Sequence, residues 1–297
     1  DSPRVMILTE SKPWFARWSR DAGQTNGKLK EAQERVKIAA SAEPPLPVPP
    51  SSRIRSAINS FKNSRGLSLD FWNAGDVKEA PQESVVELGY VFEGVKKLRK
   101  WPFGQTATPI SLIPKPGGGL RPIGVTQLLC AIFLKSQSDF LDGWEEEHMQ
   151  FWEDAVKGSS ALKAGLDRRL MDEVAVLQGK ATAAVYWDIE KFYDSIDWVR
   201  LIDWCLELCF PARILEIALS VHMAQRVIKI GECFSGLHEP CNSVVAGCTS
   251  AIWLSRIFVC SILREVHNQQ GCVITRNFFD DMVSRATAAD PDDLIVS

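Results

Sequence analysis

The chain has 297 residues, 45% hydrophobic and 24% charged. That is enough apolar material for a sizeable core, as one large domain or two small ones, and it excludes a disordered or fibrous chain. The formal net charge of −3 argues against a uniformly basic nucleic-acid binder, but the charge is uneven. Residues 1–65 hold 12 Lys and Arg against 6 Asp and Glu, and the remainder holds 22 against 31. A basic leading arm on an acidic body suits nucleic-acid contact at one end, and equally a solvated, partly helical tail.

In chain order, residues 11–40 mix Trp14, Phe15 and Trp18 with many Lys and Arg and predict a weakly amphipathic helix. Residues 43–50, EPPLPVPP, exclude regular structure and favour extended, polyproline-like backbone. They predict a linker, with the main domain boundary near residue 50. Val85, Val86, Leu88, Val91, Phe92, Val95 and Leu98 recur at helical spacing and run into KKLRK, a basic end that the helix dipole favours. Ser111–Ile113 and Leu120–Val125 predict two strands about the turn Pro116-Gly117-Gly118-Gly119.

Ser159 is expected to cap a helix with Leu162, Leu166, Leu170, Val174 and Leu177 along one face. Ala183 to Trp187 predicts a short apolar strand. After Asp197, the spacing of Trp198, Leu201, Ile202, Cys205, Leu208 and Cys209 predicts another helix. Arg226–Leu237 reads as a hairpin about Gly231-Glu232, and residues 249–266 as a buried helix. Val273–Phe279 reads as a strand, followed by a turn at Asp280-Asp281 and a return strand from Met282-Val283. Helices and strands segregate instead of alternating in βαβ units, which predicts an α+β fold.

None of the eight cysteines forms a C-x-x-C pair. Cys233, His238 and Cys241 are close in sequence but have no fourth ligand at zinc-site spacing, so buried free thiols in an intracellular, reducing compartment are expected. Nucleus and cytoplasm are not distinguished. Val244–Leu263 carries a single charge, Arg256, and its Gly and Ser content predicts a core helix and no membrane partner. Pro3, Arg4 and Glu10 interrupt any apolar run that could serve as a signal peptide.

Two segments place Asp at the end of an apolar strand: Val185-Tyr-Trp-Asp188-Ile-Glu-Lys-Phe-Tyr193-Asp194, and Asn277-Phe-Phe-Asp280-Asp281-Met-Val283. Carboxylates there are costly unless paired or metal-bound. Side by side, the two strands would bring three carboxylates to one edge, as two Mg²⁺ ions about 3.5–4 Å apart require for in-line phosphoryl transfer. Taken alone, Asp-Asp also fits a solvated hairpin tip, and Asp290, Asp292 and Asp293 read as such a solvated stretch.

In this order the segments resemble the motifs of reverse transcriptases of the non-LTR retroelement and group II intron branch. LIPKPGGGLRPIGV resembles the fingers segment at the incoming nucleotide, and YWDIEKFYDSID resembles motif A. SVVAGCTSAIW resembles motif B, and RNFFDDMV resembles the aromatic-x-Asp-Asp box of motif C. The likeness runs from about Trp101 to Val283. It implies a right-hand polymerase: residues 1–50 as a basic arm and Pro-rich linker, 51–182 as fingers and fingers–palm helices, and 183–297 as a palm with an antiparallel sheet flanked by helices.

The resemblance also implies roles. Asp188, Asp280 and Asp281 would be catalytic. They and Ile189 would hold two Mg²⁺ ions, with Mn²⁺ as an alternative. Lys115 and Arg121 would grip the triphosphate; a charged hairpin surface is the plainer reading of both, and the intervening glycines favour function. Tyr193 would exclude a 2′-hydroxyl, where the residues alone suggest a core aromatic. Asp194 is open: related RNA-dependent RNA polymerases use a second motif-A acid to read the 2′-hydroxyl. Tyr193 and Phe278-Phe279 favour the reverse-transcriptase side. Ala246-Gly247 stands where many relatives carry Gln-Gly. Trp253 and Phe258 read as core.

The implied activity is RNA-directed DNA polymerase, with an RNA template, a DNA primer and dNTPs as partners. Sixteen residues follow Asp281, and the resemblance implies a thumb beyond them, so a fingers–palm piece without its thumb is expected. The alternative is an inactive remnant that serves as a nucleic-acid-binding scaffold.

Overall fold

The computed structural model describes residues 3–19, 22–101, 107–148, 150–156, 158–269, 273–279 and 281–290, with 292 and 294. Asp280, Cys272 and Asp293, each given a place in the sequence reading, lie outside the described residues.

The helices that open the chain are α1 (Pro3–Trp18), α2 (Ala22–Ala42), α3 (Ser51–Asn59), α4 (Ala74–Glu79) and α5 (Gln82–Leu98). Strands β1 (Thr108–Pro114) and β2 (Leu120–Gly124) follow, then α6 (Leu128–Ser136), α7 (Ser138–His148), α8 (Ala161–Leu177) and β3 (Ala181–Asp188). Next come α9 (Phe192–Ser195), α10 (Trp198–Glu207), α11 (Ala212–His222), β4 (Arg226–Ile230) and β5 (Cys233–Phe234). The last elements are α12 (Ala251–Gln269), β6 (Val273–Phe278) and β7 (Asp281–Ala288). Helices accompany two small sheets, a mixed architecture compatible with the α+β class.

The chain divides into two units, residues 1–145 with 193–254, and residues 146–192 with 255–297. This division differs from the expected boundaries near 50 and 182, and burial explains the first difference. Ile7, Trp14 and Trp18 of α1, and Leu29, Ala32, Val36 and Ala40 of α2, are core residues. In the first unit α2 lies against α10 and α11. The Pro-rich segment is extended as expected but pinned. Buried Lys96 donates to Leu46 O at 2.9 Å, and the Glu43 carboxylate accepts from the backbone N–H groups of Ala212 and Arg213, capping α11.

The first unit's sheet has the order β2-β1-β4-β5. β1 pairs antiparallel with β2 and parallel with β4, so the two expected hairpins share one sheet. Pro122 sits in β2, an edge strand, where a missing N–H costs no ladder bond. Phe92, Leu128, Phe133 and Leu134 are fully buried in this unit.

The second unit holds an antiparallel sheet of order β3-β7-β6. One expectation is corrected here. The cap of α8 is Ser160, whose Oγ accepts from Lys163 N, and not Ser159. The apolar stripe of α8 faces outward: Leu162 is 84% and Leu177 87% exposed, while Ala164 and Ala175 are buried. Small alanines allow close approach on the inner side. There Arg168 pairs with Asp154 at 2.9 Å and Asp172 with Arg285 at 2.7 Å.

Within α12, Leu254, Ile257, Val259 and Leu263 are buried. Among the described residues, no helix is long and apolar enough to cross a membrane. The seven described cysteines are free thiols. His238 stacks on Phe15 with ring centroids 4.4 Å apart.

Candidate active-site residues

In the second unit, β3 and β7 form an unbroken ladder from Ala181↔Ala288 to Asp188↔Asp281. A one-residue slip would turn every side chain to the other face, so this register decides where the carboxylates fall. It sets Asp188 directly opposite Asp281, and both are exposed. Residues in such positions have Cβ atoms about 4.5–5.5 Å apart, and like charges there destabilise the sheet. β6 and β7 pair from Val273↔Ala286 to Phe278↔Asp281, which leaves a two-residue connection, 279 and 280. Tight hairpins of this length require positive φ, and Phe279 has φ 56°. A bulky aromatic in that region is unusual and strained by about 1–2 kcal/mol.

Two of the three expected carboxylates are therefore brought together, while Asp280 lies outside the described residues. Among the described residues, no group of three or more His, Cys, Asp or Glu side chains is placed to hold a metal ion. The opposed pair still suits a hard divalent cation, which prefers oxygen ligands and would cancel the repulsion. Ile189, next to Asp188, is half-buried and can offer only its carbonyl oxygen.

In the first unit, Lys115 and Arg121 flank the tip of the β1–β2 hairpin. Arg121 pairs with Ile113 in β1, and Lys115 follows Pro114, the last residue of that strand. Both cations are exposed. The turn closes through Lys115 N to Gly119 O and Gly118 N to Lys115 O, each 3.0 Å. Gly118 and Gly119 have φ 91° and 80°, conformations open to glycine.

The far end of β2 meets the Ala246-Gly247 segment. Gly124 N donates to Ala246 O at 2.7 Å. A Cβ on Gly247, where φ is 98°, would stand 2.6 Å from Gly124 O, and one on Gly124 would stand 2.1 Å from Val245 Cγ1. The contact exists because neither residue has a side chain. Val244 N donates to Tyr193 O at 2.8 Å, so three segments distant in sequence converge. Two of them, at Tyr193 and Gly247, border a cavity of about 390 Å³ whose lining also includes Thr249, Trp253, Lys135 and Ser138.

Tyr193 and Gly247 thus meet at one cavity, and Arg121 lies on β2, whose Gly124 bonds Ala246 beside Gly247. Trp253, expected as core, is both buried and part of the lining. Lys135 and Ser138 carried no motif signal. Burial lowers the Lys135 pKa, and its ammonium lies 5.0 Å from the centre of the Phe61 ring.

His222 braces the cavity segment from behind. It is fully buried, its Nδ1 accepts from Val245 N at 3.0 Å, and its Nε2 is 2.9 Å from Ser250 Oγ. The backbone donor fixes Nδ1 as unprotonated, so Nε2–H donates to Ser250. Burial, then the Arg226 charge, depress its pKa to about 3. No protein-family model matches the chain, and no curated protein matches it.

Proposed function

We propose that this chain is the nucleotidyl-transferring part of an RNA-directed DNA polymerase of the reverse-transcriptase type. The observation that carries the reading is the register of Asp188 opposite Asp281 at the open end of the β3–β7 ladder. A sheet gains nothing from two exposed carboxylates in that position, and a divalent cation gives them a purpose.

Asp188, Asp281 and, from the sequence, Asp280 would hold Mg²⁺, with the Ile189 carbonyl beside them. When bound, Mg²⁺ supplies Lewis-acid stabilisation of charge on transferring phosphoryl oxygens. The chain's other residues have their own tasks. Arg121 offers a planar, bidentate donor set to a triphosphate and Lys115 a point charge. Gly247 leaves bare backbone on which a base pair can lie. Tyr193 brings a bulky ring to the cavity, against the space a 2′-hydroxyl would need. Lining of one cavity by Tyr193 and Gly247, which lie in separate motifs, is the second support.

Equilibrium binding of dTTP tests this reading. Binding that requires Mg²⁺ and weakens in Asp188→Asn and Arg121→Ala supports it. RNA binding without any metal-dependent dTTP binding would favour the scaffold alternative instead.

A further inference from the structure

Asp194 is 8% exposed and accepts a hydrogen bond from the indole Nε1 of Trp18 at 2.7 Å, across 176 positions of sequence. Trp18 is 1% exposed, and the Arg226 guanidinium lies 4.7 Å from the centre of its ring. Arg226 is equally buried. It donates to Ser243 Oγ and to the carbonyls of His222 and Ser243. Burial lowers its pKa to about 10, and the Asp194 charge opposes that shift.

The last turn of α1 also grips the other side of this cluster. Cys241 N donates to Trp18 O at 2.7 Å, and Asn242 Nδ2 donates to Arg17 O at 3.3 Å. The two segments so held are bonded to each other, through Ser243 N to Ile196 O and Val244 N to Tyr193 O, both 2.8 Å. Tyr193 lines the cavity. Asp194, the next residue, is not among its lining residues and turns to Trp18.

We propose that helix α1 sets the position of Tyr193 through the Trp18–Asp194 bond, which makes Trp18 and Asp194 positioning residues for sugar discrimination. Asp194 is then not the reader of a sugar hydroxyl. The functional half of this inference rests on the polymerase reading; the structural half does not. A helix distant in sequence from every motif thereby governs which sugar the cavity accepts.

The test uses the full chain and two readouts, backbone amide exchange and the affinity ratio of dATP to ATP with Mg²⁺. Trp18→Phe removes the N–H donor and keeps a ring beneath Arg226. It is expected to speed exchange at Val244 about tenfold or more, the loss expected for one hydrogen bond, and to lower the dATP preference. Exchange at Val125, bonded to Pro109 O elsewhere in the unit, should not change.

Asp194→Asn keeps an oxygen for the indole and is expected to preserve both Val244 protection and the dATP preference. Unchanged Val244 exchange in Trp18→Phe would overturn the positioning role. If that variant loses protection everywhere, Asp194→Asn decides: a changed ATP affinity with Val244 still protected would overturn the assignment. A wild-type chain that binds neither nucleotide would sink the polymerase reading alone, because the exchange result still judges the positioning.

Discussion

Asp188 and Asp281 face one another as cross-strand neighbours at the end of the β3–β7 ladder. Without a cation their repulsion opposes pairing by roughly 0.2–1 kcal/mol. Asp188→Asn is therefore expected to raise the melting temperature slightly in chelator, and millimolar Mg²⁺ to stabilise the wild type but not the variant. Thermal melts of both proteins, with and without Mg²⁺, check this. Equal Mg²⁺ responses would place the cation elsewhere.

Gly247→Ala has two costs, strained backbone at φ 98° and a Cβ 2.6 Å from Gly124 O. Gly118→Ala has only the first, since nothing lies within 4 Å of its Cβ position. Backbone strain alone costs about 1–2 kcal/mol. Urea unfolding should show Gly247→Ala to be the more damaging by a further kcal/mol or so, the price of a contact that cannot relax. Equal losses would mean that the Gly124–Gly247 approach is looser than described.

His222 links stability to pH. Its pKa is about 3 folded, against about 6.5 for an unperturbed histidine. Between these values the unfolded chain binds the proton and the folded chain does not, so stability falls as pH drops through that window. From pH 6.5 to 5 the loss is on the order of 2 kcal/mol. In urea titrations at several pH values, His222→Gln should be less stable at neutral pH but show a shallower acid slope. An unchanged slope would assign the acid sensitivity to other groups.

Arg121 is exposed on the hairpin, so Arg121→Ala should alter stability by less than about 0.5 kcal/mol. A hydrogen bond to a charged group contributes about 1.5–3 kcal/mol, so dNTP affinity should fall at least tenfold. Denaturation and binding measured on the same sample separate the two effects.

Local pattern made much of this legible. The hairpin glycines, the strand ending in Asp188, the helix that begins after Asp197 and the core helix α12 all follow from spacing and residue type. Gly247 reads as a place where backbone can come close, but nothing in the sequence names Gly124 as what comes close to it. The partners of a buried group are equally hidden. Nothing near Trp18 announces that Asp194 lies against it, because that bond depends on how α1 docks. The EPPLPVPP segment reads correctly as extended, but a backbone carbonyl gives no sign that Lys96 will seek it out. In α8 periodicity finds a true apolar stripe but does not say which side it takes; it lies outward because paired Arg168 and Asp172 take the inner face.

Primer extension on an RNA template with Mg²⁺ and dNTPs tests the central claim most directly, with the wild type set beside Asp188→Asn and Asp281→Asn. The expected result is templated DNA synthesis by the wild type that both substitutions abolish while the folded chain persists. Synthesis that survives either substitution, or none from a wild type that binds the primer–template, would contradict it.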